Sequence, residues 1–471
     1  LAEEEIERRS HAEQSMAALF LYARPRRMAF AAGQGIPRDR CGGKKMRLRT
    51  LGSLSLLCAF LILGLANCAV PPSGAPTSGA QPTPTVQPAS TPTVAVPTRP
   101  SAVVAASDRT IVLVNGTLID GTGADPLPDA AVVIQKGRIV GVGARAKVNL
   151  PADARIIDVQ GATVLPGFFN AHIHSGYSAS NLHAWAQAGV TTVRDLATSN
   201  SDPFSVRDAL LKDNHNARLV AAGPMVTVPD GYPMVPWGMQ GLTVTSPEDA
   251  TQKVNRLLDQ GADVIKIALD SGAIFGRKIP VLSAEQAAAI VRVAHTRGTR
   301  VSAHILASQD VPRVLDAGVD DIAHMPSNNL SDELIEKVVK AGIYWVPTIE
   351  LWKRVGQGDQ VAMANLGRFV RAGGKVALGT DYDGYAARFE LGMPMLEIEA
   401  MQAVGMPPMQ IIVAGTQNAA HACNLERELG TLEAGKIADV LVVDGDPLQD
   451  LHALTHVRMV IHNGEVIRGE E

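Results

Sequence analysis

Cysteine is scarce. The 471-residue chain has four, three of them within the first 68 residues (Cys41, Cys58 and Cys68) and Cys423 alone downstream. That excludes a disulfide framework and a cysteine-based zinc site. Runs of one charge sign are missing too: Lys+Arg 43 stand against Asp+Glu 47, a formal charge of −4. Nothing in such a balance tracks a phosphate backbone, so nucleic acid is not an expected partner. The apolar run from Leu51 to Leu65 falls short of the ~20 residues a spanning helix needs.

That run follows Met46-Arg47-Leu48-Arg49 and ends in Leu65-Ala66-Asn67-Cys68, the layout of a secretory signal. The ending resembles the lipobox of bacterial lipoproteins, with Asn67 where Gly, Ala or Ser is usual. The resemblance implies a signal at 46–68, cleaved so that Cys68 carries lipid; an uncleaved N-terminal anchor is the other reading. Either way the body is expected to be exported and held at a membrane on its extracytoplasmic side. Residues 1–45 are arginine-rich, open on Leu and lack a core-forming period, and Met46 is expected as the true start. Residues 69–108, mostly Pro, Thr, Ser, Ala and Val, read as a tether that buries no core.

From Thr110 to Val164 short apolar strands alternate with Asn-Gly and Lys-Gly signals, Asn115-Gly116 and Lys136-Gly137 among them, and residues 439–467 repeat the grammar. Neither end has strands enough for its own core. Pairing them predicts one β-sandwich built from 109–166 and 429–471, with 167–428 inserted. In that insert, strand-like runs alternate with helical patterns: Phe168 to His174, Val190 to Leu196, Ala217 to Ala222, Val264 to Leu269, Arg300 to Ile305, Asp321 to Met325, Tyr344 to Ile349 and Lys375 to Asp381. Eight βα units predict an α/β fold, a (β/α)8 TIM barrel whose chemistry sits at the C-terminal ends of its strands. One helix is expected to open on Ser283 as N-cap with Gln286 three residues on.

On a strand, alternate side chains share a face, so His172 and His174 emerge together. Any two histidines two apart would do so without binding anything. The other strand ends argue for chemistry: Lys266 lies in the fourth run, and His304, His324 and Asp381 close the fifth, sixth and eighth. Imidazole and carboxylate suit a borderline divalent ion such as Zn²⁺. Ile265, Ile267 and Leu269 pack outward, which turns Lys266 inward, where an ammonium is costly. Burial lowers its pKa, and a neutral amine adds carbon dioxide to give a carbamate whose two oxygens bridge two metals. In the other arrangement Lys266 stays an ammonium paired to Asp381, beside a single ion on His172, His174 and one more ligand.

Taken together, Asn115-Gly116, Asp120-Gly121-Thr122-Gly123, Leu165-Pro166-Gly167, His172-Ile173-His174, Thr191 to Asp195, Gly261 to Lys266, Gly379-Thr380-Asp381, Gly430 to Asp439 and Asp444-Gly445-Asp446-Pro447 resemble the amidohydrolase superfamily. The likeness is to its prolidase-like and imidazolonepropionase-like hydrolases, over Thr110 to Val466. It implies two divalent ions, one on His172, His174 and Asp381, the other on His304 and His324, joined by carboxylated Lys266 and a bridging hydroxide. It further implies hydrolysis of an amide C–N bond in dipeptide-like or N-acyl amino acid substrates, with Asp381 moving the proton. Two positions depart from the pattern. Asn170 replaces the aspartate common before this HxH, and Gly223-Pro224-Met225 stands where prolidase-like members carry Gly-Gly-His.

Tyr177, Tyr232, Tyr385 and Arg388 fall on expected βα loops, where a phenol would steady an oxyanion and a guanidinium would clamp a substrate carboxylate. Surface-loop polarity is the plainer reading of each. Arg194 and Asp195 are expected to form a buried structural pair. A cyclic amide, lactone or phosphoester is the alternative substrate; a non-catalytic surface lipoprotein is disfavoured because no expected ligand is missing. A small molecule and the membrane are the expected partners, with homo-oligomerisation open.

Overall fold

The computed structural model describes residues 110–356, 358–383 and 389–469. The expected extension, signal, tether and Cys68, and likewise Tyr385 and Arg388, lie outside the described residues. Among the described residues no helix is long and apolar enough to cross a membrane.

The chain enters through β1 (Ile111–Leu118), β2 (Leu127–Gln135), β3 (Arg138–Ala144), β4 (Arg155–Asp158) and β5 (Thr163–Pro166). The middle contributes β6 (Phe168–Ile173), β7 (Val190–Asp195), β8 (Arg218–Ala221), β9 (Val226–Thr227), β10 (Leu242–Thr243), β11 (Ile265–Ala268), β12 (Val301–His304), β13 (Asp321–Ala323) and β14 (Tyr344–Val346). The chain closes with β15 (Val440–Val443), β16 (Val457–His462) and β17 (Glu465–Arg468).

Strands from the two ends do pair. They form one eight-stranded sheet in the order β17-β16-β15-β5-β1-β2-β3, with β4 also on β1; the two ends meet where Val440 to Val443 run antiparallel to Pro166 to Thr163. Alternation divides β1 between two apolar clusters, Ile111 and Leu113 on one side, Val112 and Val114 on the other. Lys136-Gly137 and Asn463-Gly464 have positive φ at both positions, as tight hairpin turns require. Asn115-Gly116 does not turn the chain. It is a bulge within β1, because the 158–162 turn presses on it: Asn115 Nδ2 bonds Asp158 Oδ1 at 3.0 Å, and a Cβ on Gly116 would lie 2.6 Å from Val159 Cγ2.

The middle strands run parallel in two sheets, β6-β7-β8 and β10-β9-β11-β12-β13-β14, and helices alternate with them. Ser178, Asp202, Ser246, Ser283 and Ser331 each accept a backbone N–H at a helix start, satisfying donors the helix leaves unpaired. Ser283 and Gln286 complete the reciprocal capping box. β8 and β9 are two pieces of one run, interrupted where Gly223 takes φ 71° ahead of Pro224; β8 pairs with β7 and β9 with β11. Lys375 to Asp381, expected as a full strand, makes single bridges instead, Trp345 to Val376 and, one residue beyond, Ile173 to Tyr382. Positive φ at Asp381, 64°, breaks the extended run at its end.

Candidate metal centre

The ligands expected from sequence come together at the strand ends. Asp381 Oδ1 lies 3.1 Å from His172 Nε2 and 3.1 Å from His174 Nε2, and Asp381 Oδ2 is 4.0 Å from His324 Nδ1. Ring centroids are 5.3 Å apart for His172 and His174, 4.8 Å for His172 and His324, and 4.7 Å for His304 and His324. Lys266 is fully enclosed and close enough that its protonated form opposes protonation of His172, His304 and His324.

Local structure aims these groups. β6 is buried at every position, and its alternation presents His172 while Ala171 and Ile173 join apolar clusters. Asp381 is brought to it by close backbone approach: its N–H donates to His172 O at 2.8 Å, and a Cβ on Gly379 would lie 2.8 Å from His172 N and 2.4 Å from Val346 Cγ1. Asn170 clasps the same junction, donating to Thr380 Oγ1 at 2.9 Å and accepting from Thr380 N at 3.1 Å. The residue that departs from the family pattern thus ties the HxH strand to the Asp381 segment. His324 and Asp381 both sit at positive φ, 69° and 64°, strain that the surrounding packing sustains.

Arg194 and Asp195 do not pair. Neighbours on a strand face opposite ways, and Arg194 meets Asp321 instead, Nη1 and Nη2 at 2.8 and 3.0 Å from its two oxygens. Asp195 turns to the other side, accepting from Gly176 N and Ala197 N at 2.9 and 3.2 Å. Burial, reinforced by Arg194, brings the Lys266 amine down to about 7 against the opposing pull of Asp321 and Asp381. No bond from Lys266 Nζ to Asp381 is present: the amine has no hydrogen-bond partner.

Burial likewise holds His172 and His304 well below the ordinary imidazole value and His324 at about 3, with Lys266 adding to each, so their lone pairs are available. At His174 burial is outweighed by Asp381 and Asp195, which raise it to about 9; its Nδ1 is 3.1 Å from Ala197 O, leaving Nε2 toward Asp381. His172 Nδ1 and Nε2, His304 Nε2 and Asp381 Oδ1 are buried without hydrogen-bond partners. His172 Nε2 and Asp381 Oδ1 are therefore close without hydrogen-bond direction. Orphaned buried polar atoms are rare and costly. Here they converge, and His172, His324 and Asp381 offer ligand atoms all within 4.8 Å of one another. A divalent cation fits that donor set.

A family model described as the amidohydrolase family matches residues 163–467. The chain belongs to the amidohydrolase family. By that membership it is an enzyme of the class that hydrolyses carbon–nitrogen bonds, generally with a divalent metal. Among its relatives, an adenine deaminase from Chelativorans sp. (strain BNC1) is 26% identical over 72% of this chain; the chain spans 55% of that protein. An imidazolonepropionase from Geobacillus sp. (strain WCH70) is 24% identical over 72% of this chain and 90% of its own length. A solved structure of a prolidase candidate from Bifidobacterium longum superposes with a TM-score of 0.65 at 28% identity, covering 77% of this chain and 96% of that one. This amidohydrolase shares their α/β fold.

Of the loop residues singled out from sequence, Tyr232 reaches the cluster, its ring stacked on His304 at 3.8 Å and 17°. Tyr177 packs against the core; the charges that act on its buried hydroxyl are those of Asp195, Arg207 and Asp263, none of them an expected ligand. Three residues around the centre escaped the sequence reading. Asp270 Oδ2 is 3.9 Å from His304 Nε2, and burial raises its carboxyl to about 6; it lies two residues past the end of β11. Thr348 Oγ1 is 2.9 Å from His324 Nδ1. Glu397 braces the segment that follows Thr348 from outside the centre, accepting from Ile349 N and Glu350 N at 3.0 and 2.6 Å. No local pattern marks the last two.

Proposed function

We propose that this amidohydrolase cleaves the amide C–N bond of dipeptide-like or N-acyl amino acid substrates at a centre of two divalent ions, zinc by the chemistry of the donors. The carrying observation is that His172, His174, Lys266, His304, His324 and Asp381 are brought together from five strand runs, with buried polar atoms of His172, Lys266, His304 and Asp381 left without hydrogen-bond partners. His172, His174 and Asp381 would hold one ion and His304 and His324 the other, with Lys266 as a carbamate between them. Geometry supports the carbamate: the Lys266 amine is enclosed, has no hydrogen-bond partner and is brought down to about 7, so its neutral form adds carbon dioxide and releases a proton to become an anion. When bound, such ions bring the pKa of water toward neutrality and polarise the scissile carbonyl.

The chain's own residues do the rest. Asp381, beside both His172 and His174, accepts the proton of the attacking water and returns it to the leaving amine. Tyr232, held flat on His304, steadies the oxyanion with its phenol. Asn170 and Thr380 keep the Asp381 carboxylate against the HxH strand.

The architecture proposed around this centre is a (β/α)8 barrel with the terminal strands folded into a sandwich. Backbone bonds across the sheet gaps support closure: Asp263 N to Ala221 O at 2.9 Å, Ala377 N to Trp345 O at 2.9 Å and Ala171 N to Leu378 O at 2.8 Å. From sequence alone we also propose an exported, lipid-anchored protein modified at Cys68; mass spectrometry of the mature N-terminus tests it, and an unmodified cytoplasmic chain contradicts it.

Metal analysis with a panel of dipeptides, N-acyl amino acids, cyclic amides, lactones and phosphoesters tests the activity. Turnover of linear amides by the metal-loaded protein, lost by at least a hundredfold in Asp381→Asn, is expected. Turnover confined to lactones or phosphoesters would refute the amide assignment, and binding without turnover would refute catalysis.

A further inference from the structure

The amide-hydrolase reading leaves the side-chain preference open, and two loops rooted on His304 address it. One leaves β9 and presents Tyr232 flat on the His304 ring. The other leaves β11, with Asp270 at its root 3.9 Å from His304 Nε2. The loops touch at their bases, since a Cβ on Gly231 would lie 3.1 Å from Pro280 O. Farther out they meet again through Trp237 and Phe275, ring centroids 5.6 Å apart and edge to face at 89°. Residues 231–242 and 271–276 hold no charged side chain; Asp230, Asp270, Arg277 and Lys278 flank these stretches.

These loops also expose apolar surface. Met239 is 40% and Ile274 39% exposed, two of six large apolar side chains so exposed among the described residues. Both lie on the two loops that join Tyr232 and Asp270 to the Trp237–Phe275 pair, and exposed apolar groups on loops that border a polar centre suit a binding wall.

We propose that Trp237 and Phe275, with Met239 and Ile274 at the rim, form a specificity subsite beside the metal centre for an uncharged aromatic or branched aliphatic group next to the scissile amide. It rests on the amide-hydrolase reading. An acidic or basic group set against these rings would lose its hydration, whereas apolar area is buried there at a gain.

The test uses two matched series on the metal-loaded protein: one amino acid acylated with acetyl, hexanoyl, phenylacetyl or succinyl, and N-acetyl derivatives of glycine, phenylalanine and aspartate. The subsite predicts that in at least one series kcat/KM rises about 10- to 200-fold from the smallest to the aromatic member, chiefly through KM, with the charged member lowest. Trp237→Ala and Phe275→Ala should each shrink that ratio at least fivefold, and Met239→Lys, on an exposed position that does not threaten folding, should shrink it in the same direction. A flat or charge-favouring profile in both series, or ratios unchanged in all three variants, overturns the subsite. Calorimetric binding of the same compounds separates the two readings. Apolar preference in binding without turnover retains the subsite and sinks the hydrolase, and turnover without preference does the reverse.

Discussion

Thr348 Oγ1 lies 2.9 Å from Nδ1 of His324, and both residues hold positive φ, 50° and 69°. The contact engages Nδ1 of His324, whichever atom carries the proton, and leaves Nε2 as the other ring nitrogen. Such partners of metal-binding imidazoles fix tautomer and ring angle, and losing one costs about 10–100-fold in metal affinity. Thr348→Val is expected to weaken zinc binding by that factor, read by chelator competition, while Thr348→Ser restores most of it. Equal affinities in all three proteins would show that the contact does not orient His324.

Glu397 gives the clearest pH dependence away from the metal centre. Burial raises its carboxyl to about 8, against the two backbone N–H groups it accepts. A carboxyl raised in the folded state favours folding while protonated, so the contribution is complete below its unfolded value near 4.5 and is lost as pH rises through about 8. Asp195 and Asp270, raised to about 6 mainly by burial, are spent lower in that window. Urea unfolding should therefore show stability declining between pH 6.5 and 8, and Glu397→Gln should flatten that decline even though the variant is less stable overall. Parallel profiles would contradict the assignment.

Much of the centre was legible in sequence because it depends on period two. Strand parity placed His172 and put His174 beside it, although β6 ends at Ile173 and His174 opens the following bend; Lys266 points inward because its neighbours are Ile265 and Ile267. Reading stopped where partners are distant. Arg194 finds Asp321, 127 residues on; Thr348 reaches His324 only once β14 lies beside β13; and the Asn115-Gly116 bulge depends on Asp158 and Val159. A local turn signal cannot distinguish a bulge pressed by a remote loop from a hairpin. Nor does a strand-like run reveal that its last residue, Asp381, adopts the left-handed region.

Arg194 and Asp321 form a buried, bidentate ion pair, with Arg194 also donating to Ala171 O and Ala422 O at 2.6 Å each and Ser302 donating to Asp321 at 2.7 Å. Removing one partner strands the other charge. Arg194→Met should cost about 3–5 kcal/mol in unfolding free energy, measured by denaturant titration, and Arg194→Lys should recover little because a point charge cannot reproduce the fork. A loss within about 0.5 kcal/mol, the range of an ordinary surface change, would refute the importance of the pair.

Gly379→Ala places a methyl 2.4 Å from Val346 Cγ1 and 2.8 Å from His172 N. Backbone cannot yield there without moving Asp381 away from His172. Metal retention through gel filtration should fall sharply while circular dichroism stays near wild type; undiminished retention would show that the approach is not needed.

The central claim is that His172, His174, Lys266, His304, His324 and Asp381 form one cage for divalent ions. Metal per chain, measured by plasma mass spectrometry on protein purified in zinc-supplemented buffer, addresses it most directly, with wild type, His172→Ala and His304→Ala compared side by side. Close to two ions per wild-type chain, falling to one or fewer in either variant, is the predicted result. A wild-type protein that hydrolyses amides while holding no stoichiometric metal, or variants that keep the full complement, would contradict it.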